Sequence, residues 1–489
     1  MTSDVHLAAV PGATLPRAAV PGAALPRATP TEHGIDPRGI LAFLDAVEAA
    51  ADVEMHSVML LRHGTVVAES WWAPYVADRV HLLYSLSKTF TSTALGFAVA
   101  EGLVDLDATV LSYFPELDAD ITDARNRATL VRHVAAMASG HSTETIDLAQ
   151  KADPADIVRG FLLTPPEHDP GTVFAYNQPC TFTIAAIIQK LTGMTLTDYL
   201  RPRLFDPLGI GEVTWHTDTR GRQLGYSGVH ATTETVAKLG QLYLRRGEWN
   251  GVQLLPPSWV AEATEKHIDN AGSGAPDWER GYGFQFWIGQ HGYRGDGAYG
   301  QFCVVLPEHD IVLAATGQST EMQAVLTAVW THLLPALSPD ARVDDDAERA
   351  GRAELEHRLG VAALPVRDAQ PVAPGTHVFA PGERNEVSSI TEVRVDVTSA
   401  PGTAAAKVFV HEGESVIHAE VGTGEWIVTD AVAASGGVTS EGSTVVDLIF
   451  VETPHRMIIE CSDGVFAARW QTPPLHTELT LAEMRSPGA

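Results

Sequence analysis

Strand-like apolar segments occur on both sides of a long helical stretch, and few architectures accommodate that order. Residues 57–68 hold two apolar runs around a short glycine-containing turn, which is the pattern of a β-hairpin. Three more short apolar runs follow at 282–287, 301–306 and 311–315, and the residues between the two groups are mostly helical in pattern. Strands from both ends of a domain can join in one sheet when the intervening helices pack against it. The expected fold class is therefore α/β, of the α+β kind: a mixed antiparallel sheet with flanking helices and a helical insertion.

Changes in composition divide the chain into four predicted parts. Residues 1–30 contain a tandem decapeptide, AAVPGATLPR followed by AAVPGAALPR, whose recurring prolines exclude a helix, and they are interpreted as a flexible tail. Residues 31–336 hold the mixed sheet. Residues 337–370 combine an acidic linker with a charged, solvated helix. Residues 371–489 alternate short strand-like runs with turns, which predicts a separate antiparallel β domain, either a barrel or a sandwich.

The net charge limits the possible partners. The 489 residues include 33 Lys and Arg against 61 Asp and Glu, giving a formal charge of −28. Such a surface repels phosphate backbones and anionic lipids, so we expect neither nucleic acid nor a membrane as the main partner. Only six of the basic residues are lysines, which makes the position of each lysine informative.

Cysteine usage and the amino terminus indicate the compartment. The three cysteines are far apart in sequence and have neither disulfide-framework nor metal-ligand spacing. The N-terminus carries acidic and Pro-Gly residues where the apolar core of a secretory signal would lie, and no apolar run is long enough to span a bilayer. We expect a cytoplasmic protein.

One short motif carries chemistry. Ser85-Leu86-Ser87-Lys88 is a Ser-x-x-Lys sequence at the start of a predicted helix, so the hydroxyl and the amine share one helical face. The rest of the helix is apolar, and a buried lysine of lowered pKa would suit a general base acting on the serine. The structural alternative, equally weighted on this motif alone, is that Ser85 caps the helix and Lys88 is exposed.

Two later segments could complete a site. Pro170-Gly171 leads into Tyr176 just before another predicted helix, although a core or capping tyrosine is the more common use of such a residue. Glycines crowd residues 295–301 before a strong strand, where they either let a substrate approach the strand edge or form a hairpin turn.

Together these segments give the chain a family resemblance. Over about residues 35–320 it resembles the penicillin-binding-protein and class C β-lactamase superfamily of serine hydrolases, in particular family VIII-type esterases. The motifs that carry the resemblance keep the order of the family: Leu83 to Ser92, Pro170 to Asn177, Leu204 to Ile210, Trp249 to Pro256 and Gly300-Gln301. The resemblance implies a β-lactamase/transpeptidase-like fold and requires no metal and no organic cofactor.

The family implies a role for each matching residue. Ser85 would be the acylated nucleophile, and Lys88 and Tyr176 would act together as general base and then general acid. The backbone N–H groups of Ser85 and Ala298 would form the oxyanion hole. Substrate-binding residues would be Asn177, Gln178, Asp296 and Gly297. The loop from Tyr226 to His230 resembles one that precedes a family helix and is assigned a structural role.

Two departures from the family pattern bear on the substrate. The second motif, usually Tyr-x-Asn, ends here in Gln178, whose longer amide could still donate a hydrogen bond to the substrate or accept one from Lys88. The third motif, usually Lys/His-x-Gly, is Gly295-Asp296-Gly297, without the cation that holds a carboxylate in β-lactamases. This loss argues against anionic substrates, although the neighbouring Arg294 could compensate.

Three functions are compatible with these residues. The first is a serine hydrolase that cleaves an ester, or less readily an amide, of a small neutral molecule. The second is a β-lactamase or D-amino-acid peptidase. The third is a catalytically silent relative that binds a ligand, with partner contacts made by the β domain. The sequence leaves the acyl and leaving groups and the oligomeric state open.

Overall fold

A computed structural model gives the fold of the chain. It describes residues 24–272, 274–338, 346–400, 403–475 and 479–488. Most of the tandem repeat lies outside these ranges. The last residues of the expected tail, however, pack on the domain: Leu25 is buried, and the Arg27 guanidinium binds both Glu69 and Glu234. A flexible tail is therefore not the right description of residues 25–27.

The elements of the described residues are named in chain order. The α-helices are α1 (Pro37–Ala49), α2 (Ser87–Ala100), α3 (Ala124–Ala128), α4 (Val131–Ala135), α5 (Ile146–Ala152), α6 (Ile157–Leu163), α7 (Gln178–Thr192), α8 (Leu196–Leu200), α9 (Thr233–Leu244), α10 (Pro257–Ala263), α11 (Met322–Ala328) and α12 (Asp346–Gly360). The strands up to residue 338 are β1 (Met55–Arg62), β2 (Thr65–Trp71), β3 (His81–Leu82), β4 (Thr214–Trp215), β5 (Val229–Ala231), β6 (Glu248–Trp249), β7 (Val252–Gln253), β8 (Trp287–Ile288), β9 (Tyr293–Gly297), β10 (Gln301–Leu306) and β11 (Ile311–Gly317). The strands after residue 346 are β12 (Gly375–Pro381), β13 (Ile390–Ala400), β14 (Thr403–Glu412), β15 (Ser415–Gly422), β16 (Ile427–Thr429), β17 (Val432–Val438), β18 (Thr444–Phe450), β19 (Arg456–Ser462) and β20 (Val465–Trp470).

The expected mixed fold is confirmed. A six-stranded antiparallel sheet has the order β2-β1-β11-β10-β9-β8, so strands from both ends of the domain meet at the β1–β11 pair. Successive side chains of a strand point to opposite faces, and here each face is covered. Val58 and Leu60 of β1 pack in a core with α1 and α11, whereas Met59 and Leu61 pack in the core of the helical insertion. Burial on both faces explains why these strands have continuous apolar runs.

One predicted strand is wrong and one strand was missed. Of the run 282–287, only Trp287 lies in a strand of the sheet, and the preceding Gln285 has a left-handed backbone with φ +66°. The Gln285 amide instead donates to the Ala135 carbonyl at 2.7 Å, which fixes the segment as a loop. The missed strand is β9, whose glycines resemble a turn in the sequence.

The carboxyl-terminal region is a closed barrel. Eight strands form a ring in the order β15-β14-β13-β12-β20-β19-β18-β17, which closes by pairing of β15 with β17, and β16 adds to the outside of that closure. The sequence predicted antiparallel pairing, and most pairs follow it. The two exceptions, β12–β20 and β15–β17, are parallel.

The barrel packs closely on the first domain. The Leu82 N–H donates to the Glu452 carbonyl at 2.8 Å, and the Tyr75 hydroxyl donates to the Thr453 carbonyl at 3.1 Å. The connecting helix α12 is not simply solvated, since its Leu355 is buried in the core that α1 and β1 share. Within the described ranges, no helix combines the length and the apolar character that crossing a membrane requires.

Candidate active site

Ser85 lies in a tight turn that connects β3 to α2. Tyr84–Leu86 form a 3-10 turn directly before α2, and Tyr84 has φ +47°, a conformation that is uncommon for residues other than glycine. The Tyr84 hydroxyl contacts Nε2 of His455, on the barrel, at 2.7 Å. Ser85 itself is half-buried. The barrel therefore supports the residue next to the candidate nucleophile.

Lys88 lies one helical turn further along, with its amine beneath Ser85. Nζ donates to Ser85 Oγ at 3.0 Å, to Gln178 Oε1 at 2.6 Å and to the Tyr226 carbonyl at 2.9 Å. Only 1% of Lys88 is exposed, and the loss of solvation lowers its pKa to about 7, against the opposing effects of nearby Glu144 and Asp296. At neutral pH a substantial fraction of the amine is therefore unprotonated, so Lys88 can accept a proton from the hydroxyl it touches.

Tyr176 covers the amine from the other segment of the expected site. Its ring centroid is 4.6 Å from Lys88 Nζ, and the ring stacks on Trp287 with centroids 5.2 Å apart. Burial raises the pKa of the phenol well above its usual value, and the adjacent Asp296 carboxylate adds to the shift, whereas a hydrogen bond with Ser85 opposes it. The phenol thus stays protonated and can pass a proton on.

Gln178, the first residue of α7, binds Lys88 as the sequence suggested. Its side-chain oxygen accepts the shortest of the Lys88 hydrogen bonds, and its backbone N–H donates to the Glu144 carboxylate at 3.1 Å. Glu144 was not identified from the sequence. Its carboxylate also accepts the backbone N–H groups of Thr145 and Ile146, so it fixes the loop beside the amine.

Asn177 does not face the candidate site. It is fully buried, and its Oδ1 accepts hydrogen bonds from the Thr145 backbone N–H at 3.1 Å and from the Thr145 hydroxyl at 2.9 Å. Since the helix starts at Gln178, the preceding residue points into the protein and ties two loops together. The substrate-binding role predicted for Asn177 is not supported by this position.

Asp296 and Arg294 form a buried pair on β9. Arg294 Nε donates to Asp296 Oδ2 at 2.9 Å, its NH1 group donates to the Asp277 carbonyl at 2.8 Å, and the guanidinium lies 4.2 Å from the Trp278 ring centroid. Burial raises the pKa of the Asp296 carboxyl, and Arg294 opposes that shift. Arg294 therefore neutralises Asp296 and does not replace the cation missing at position 295.

The glycines of the third motif allow strand and helix to approach each other. A Cβ at Gly295 would lie 2.1 Å from Thr89 Oγ1, and a Cβ at Gly297 would lie 2.1 Å from the Leu83 carbonyl oxygen and 3.1 Å from the Leu86 nitrogen. The end of β9 is thus in contact with the turn that holds Ser85. Ala298 follows directly and is partly exposed.

The sequence underestimated two contributors. Tyr226, given only a structural role, supplies a carbonyl to Lys88, and its ring centroid lies 5.8 Å from the amine. His455 is 371 residues from Tyr84 in sequence, so no local pattern could link them. The structure thus brings Ser85, Lys88, Tyr176, Gln178 and Asp296 together. Among the residues described, no cluster of three or more His, Cys, Asp or Glu side chains is placed to hold a metal ion.

Comparison with known proteins gives this geometry a family. The 6-aminohexanoate-dimer hydrolase of Paenarthrobacter ureafaciens is 26% identical over 279 residues, which cover 52% of this chain and 70% of that protein. The lovastatin esterase of Penicillium rubens is 27% identical over 198 residues, 36% of this chain and 49% of that esterase, so the match spans about half the length of that relative.

Similarity of fold extends to solved structures. A penicillin-binding protein homologue from Caulobacter crescentus superposes with a TM-score of 0.50 at 17% identity, over 61% of this chain and 99% of that one. The family model described as Beta-lactamase matches residues 44–334, which is more than half of the chain and includes Ser85, Lys88 and Tyr176. The chain therefore belongs to the Beta-lactamase family, whose members include serine hydrolases and esterases.

Proposed function

We propose that this protein hydrolyses a carboxylic ester of a small neutral molecule through an acyl-enzyme at Ser85. The observation that carries the proposal is the 3.0 Å contact between Lys88 Nζ and Ser85 Oγ, made by an amine whose pKa burial lowers to about 7. A neutral amine in contact with a hydroxyl is the arrangement that general-base activation of a serine requires.

The proposed reaction has two halves. In the first, Ser85 Oγ bonds to the ester carbonyl carbon while its proton moves to Lys88 Nζ. The oxyanion is held by the N–H groups of Ser85 and Ala298. Collapse breaks the bond to the alcohol, which takes a proton from the Tyr176 hydroxyl, and Lys88 replaces that proton. In the second half water attacks the acyl carbon and Lys88 accepts the proton of the water. Lys88 then gives that proton to Ser85 Oγ as the bond between Oγ and the acyl carbon breaks, which releases the carboxylic acid and restores the free serine and the neutral amine.

Charge favours a neutral ester over an anionic substrate. Arg294 is paired with Asp296, the Lys88 amine has a lowered pKa, and Glu144 lies at the edge of the site. These groups offer little attraction for a substrate carboxylate. A chromogenic cephalosporin tests the alternative β-lactamase function, for which we expect turnover no faster than in buffer.

Covalent labelling tests the proposal. Wild-type protein treated with a fluorophosphonate probe should gain one probe mass on the peptide that contains Ser85, and Ser85→Ala should gain none. Ser142→Ala, at an exposed serine, serves as the control and should label like wild type. Equal labelling of Ser85→Ala and wild type contradicts the proposal. A burst of p-nitrophenol from p-nitrophenyl acetate would also exclude a silent relative.

A further inference from the structure

A cavity adjoins the candidate site on the side of Tyr226. It has a volume of about 590 Å³ and lies between the first domain and the carboxyl-terminal segment 479–488. Its apolar lining comes from both sides: Trp215, Leu224 and Tyr226 on one, Leu479, Ala482 and Pro487 on the other. Cavities of this size accommodate small organic molecules.

Tyr226 connects the cavity to the catalytic amine. Tyr226 lines the cavity, and its backbone carbonyl accepts a hydrogen bond from Lys88 Nζ at 2.9 Å. Tyr176 and its stacking partner Trp287 are not among the described residues that line the cavity. Ser85 and Lys88 are not among these lining residues either, so Tyr226 is the residue that the cavity and the candidate site share.

The outer wall of the cavity is held in place from two directions. Leu481 and Met484 are buried in the barrel core, and the Leu481 N–H donates to the Glu412 carboxylate at 2.5 Å. The Ser486 N–H donates to Glu452 at 2.6 Å, and the Ser486 hydroxyl contacts the Thr214 hydroxyl at 2.7 Å. The segment is thus fixed to both domains, as a wall that defines a pocket must be.

The charged groups that line the cavity are all engaged. Asp218 pairs with Arg222 at 2.8 Å, and Arg485 pairs with Asp430 at 2.7 Å. The Glu483 carboxylate accepts the backbone N–H and the hydroxyl of Thr480, both at 2.8 Å. Each of these charged groups already has a partner within the protein. The lining therefore favours an uncharged occupant.

We infer that this cavity binds the neutral acyl chain of the ester substrate, and that segment 479–488 makes the carboxyl-terminal domain part of the substrate site. The inference rests on the proposed ester hydrolysis and adds the acyl subsite to it. It predicts that acyl-chain preference depends on residues of segment 479–488, which lies well beyond the end of the family match at residue 334.

Two substitutions test the inference from opposite walls. Ala482 and Thr217 are exposed residues of the lining, so Ala482→Trp and Thr217→Trp should fill the cavity without disturbing the fold. The quantity measured is kcat/KM for p-nitrophenyl acetate and for p-nitrophenyl octanoate. We expect the ratio of kcat/KM for octanoate to kcat/KM for acetate to fall about tenfold in each variant, which corresponds to roughly two methylene groups excluded from the cavity.

The control and the contrary outcomes are distinct. Val378→Trp adds the same side chain at an exposed position of β12, outside the cavity lining, and should keep the wild-type ratio of the two rates. Wild-type ratios in Ala482→Trp and Thr217→Trp, with Ser85-dependent hydrolysis intact, would overturn the acyl subsite alone. If the wild-type protein neither hydrolyses the two esters nor labels at Ser85, the proposed function falls and the subsite falls with it.

Discussion

Lys88 and Arg294 are both buried in the candidate site, with 1% and 2% of their surface exposed, yet they have different partners. Lys88 meets three uncharged acceptors, on Ser85, Gln178 and Tyr226. Arg294 meets the Asp296 carboxylate at 2.9 Å. The two basic side chains are therefore buried to a similar extent, but one lies beside uncharged acceptors and the other beside a carboxylate.

The different partners of Lys88 and Arg294 give the two basic side chains different roles in the same site. Without a carboxylate in contact, the buried amine of Lys88 loses affinity for its proton, and its pKa falls to about 7. A guanidinium keeps its charge in proteins, and the paired carboxylate compensates for its burial. Lys88 is thus suited to move protons, whereas Arg294 balances the charge of Asp296. The following changes test this distinction.

The largest effect should come from removing the titratable amine. Lys88→Met keeps the length of the side chain and removes the base, so kcat for p-nitrophenyl acetate should fall by about 10²–10⁴-fold, the usual contribution of a general base. Lys88→Arg should be equally impaired, because a guanidinium stays protonated. Steady-state rates measure this, with Lys190→Met as the control at a surface lysine paired with Glu116. Substantial activity in Lys88→Arg would contradict proton transfer at this position.

Breaking the ion pair between Arg294 and Asp296 should lower the stability of the protein more than it lowers the rate of the reaction. Asp296→Asn leaves the Arg294 guanidinium buried without a carboxylate, and the free energy of unfolding should fall by about 3–5 kcal/mol. Urea denaturation followed by tryptophan fluorescence measures it. The exposed pair Lys190–Glu116 supplies the control, since Glu116→Gln should cost about 1 kcal/mol or less.

A compensating change distinguishes this cause from simple disruption of packing. Adding Arg294→Met to Asp296→Asn removes the unpaired charge and should recover much of the lost stability. If the double variant is no more stable than Asp296→Asn, the burial of an unpaired guanidinium is not what destabilises the single variant.

Giving Lys88 a carboxylate partner should make the amine keep its positive charge, as the guanidinium of Arg294 does. Gln178→Glu places a negative charge on the shortest Lys88 contact and should raise the pKa of the amine by about 1–3 units. The neutral amine predominates above its pKa, so wild-type kcat/KM should fall as the pH drops below about 7. In the variant this acid limb should move to higher pH. A full pH profile measures the shift, and Gln178→Met, which removes the hydrogen bond without adding charge, should not show it.

The sequence could predict contacts that are close along one helix. Ser85 and Lys88 are three residues apart on the same helical face, and their 3.0 Å contact follows from helix geometry. The amide of Gln178 was expected to accept from Lys88 and does so. The neighbouring Asn177 was assigned to the substrate from the family resemblance, but it directly precedes the first residue of α7 and accepts hydrogen bonds from Thr145 instead.

Other features depend on information that a local pattern does not contain. Arg294 and Asp296 lie two residues apart, on one face of a strand. The glycines of this segment fitted either the approach of a substrate to a strand edge or a hairpin turn, so no strand was predicted there. The contact between Tyr84 and His455 requires the docked barrel, and the barrel includes the parallel pair β12–β20, whose strands are far apart in sequence. Such contacts form only in the tertiary structure, so no short segment of the sequence could indicate them.

The smallest expected effect comes from adding a side chain at Gly295, the position where the family usually has a cation. A Cβ there would lie 2.1 Å from Thr89 Oγ1 and 2.6 Å from Leu86 Cδ1, so Gly295→Ala should lower the free energy of unfolding by about 1–3 kcal/mol through overpacking. Thermal unfolding measures the loss, and Thr89→Ala in the same background should restore part of it by removing the nearest atom. Gly211→Ala is the matched control, since nothing lies within 4 Å of its added Cβ. If Gly295→Ala is as stable as wild type, close packing of β9 on α2 does not exclude a side chain at 295, and the lack of a cation there must reflect the substrate instead.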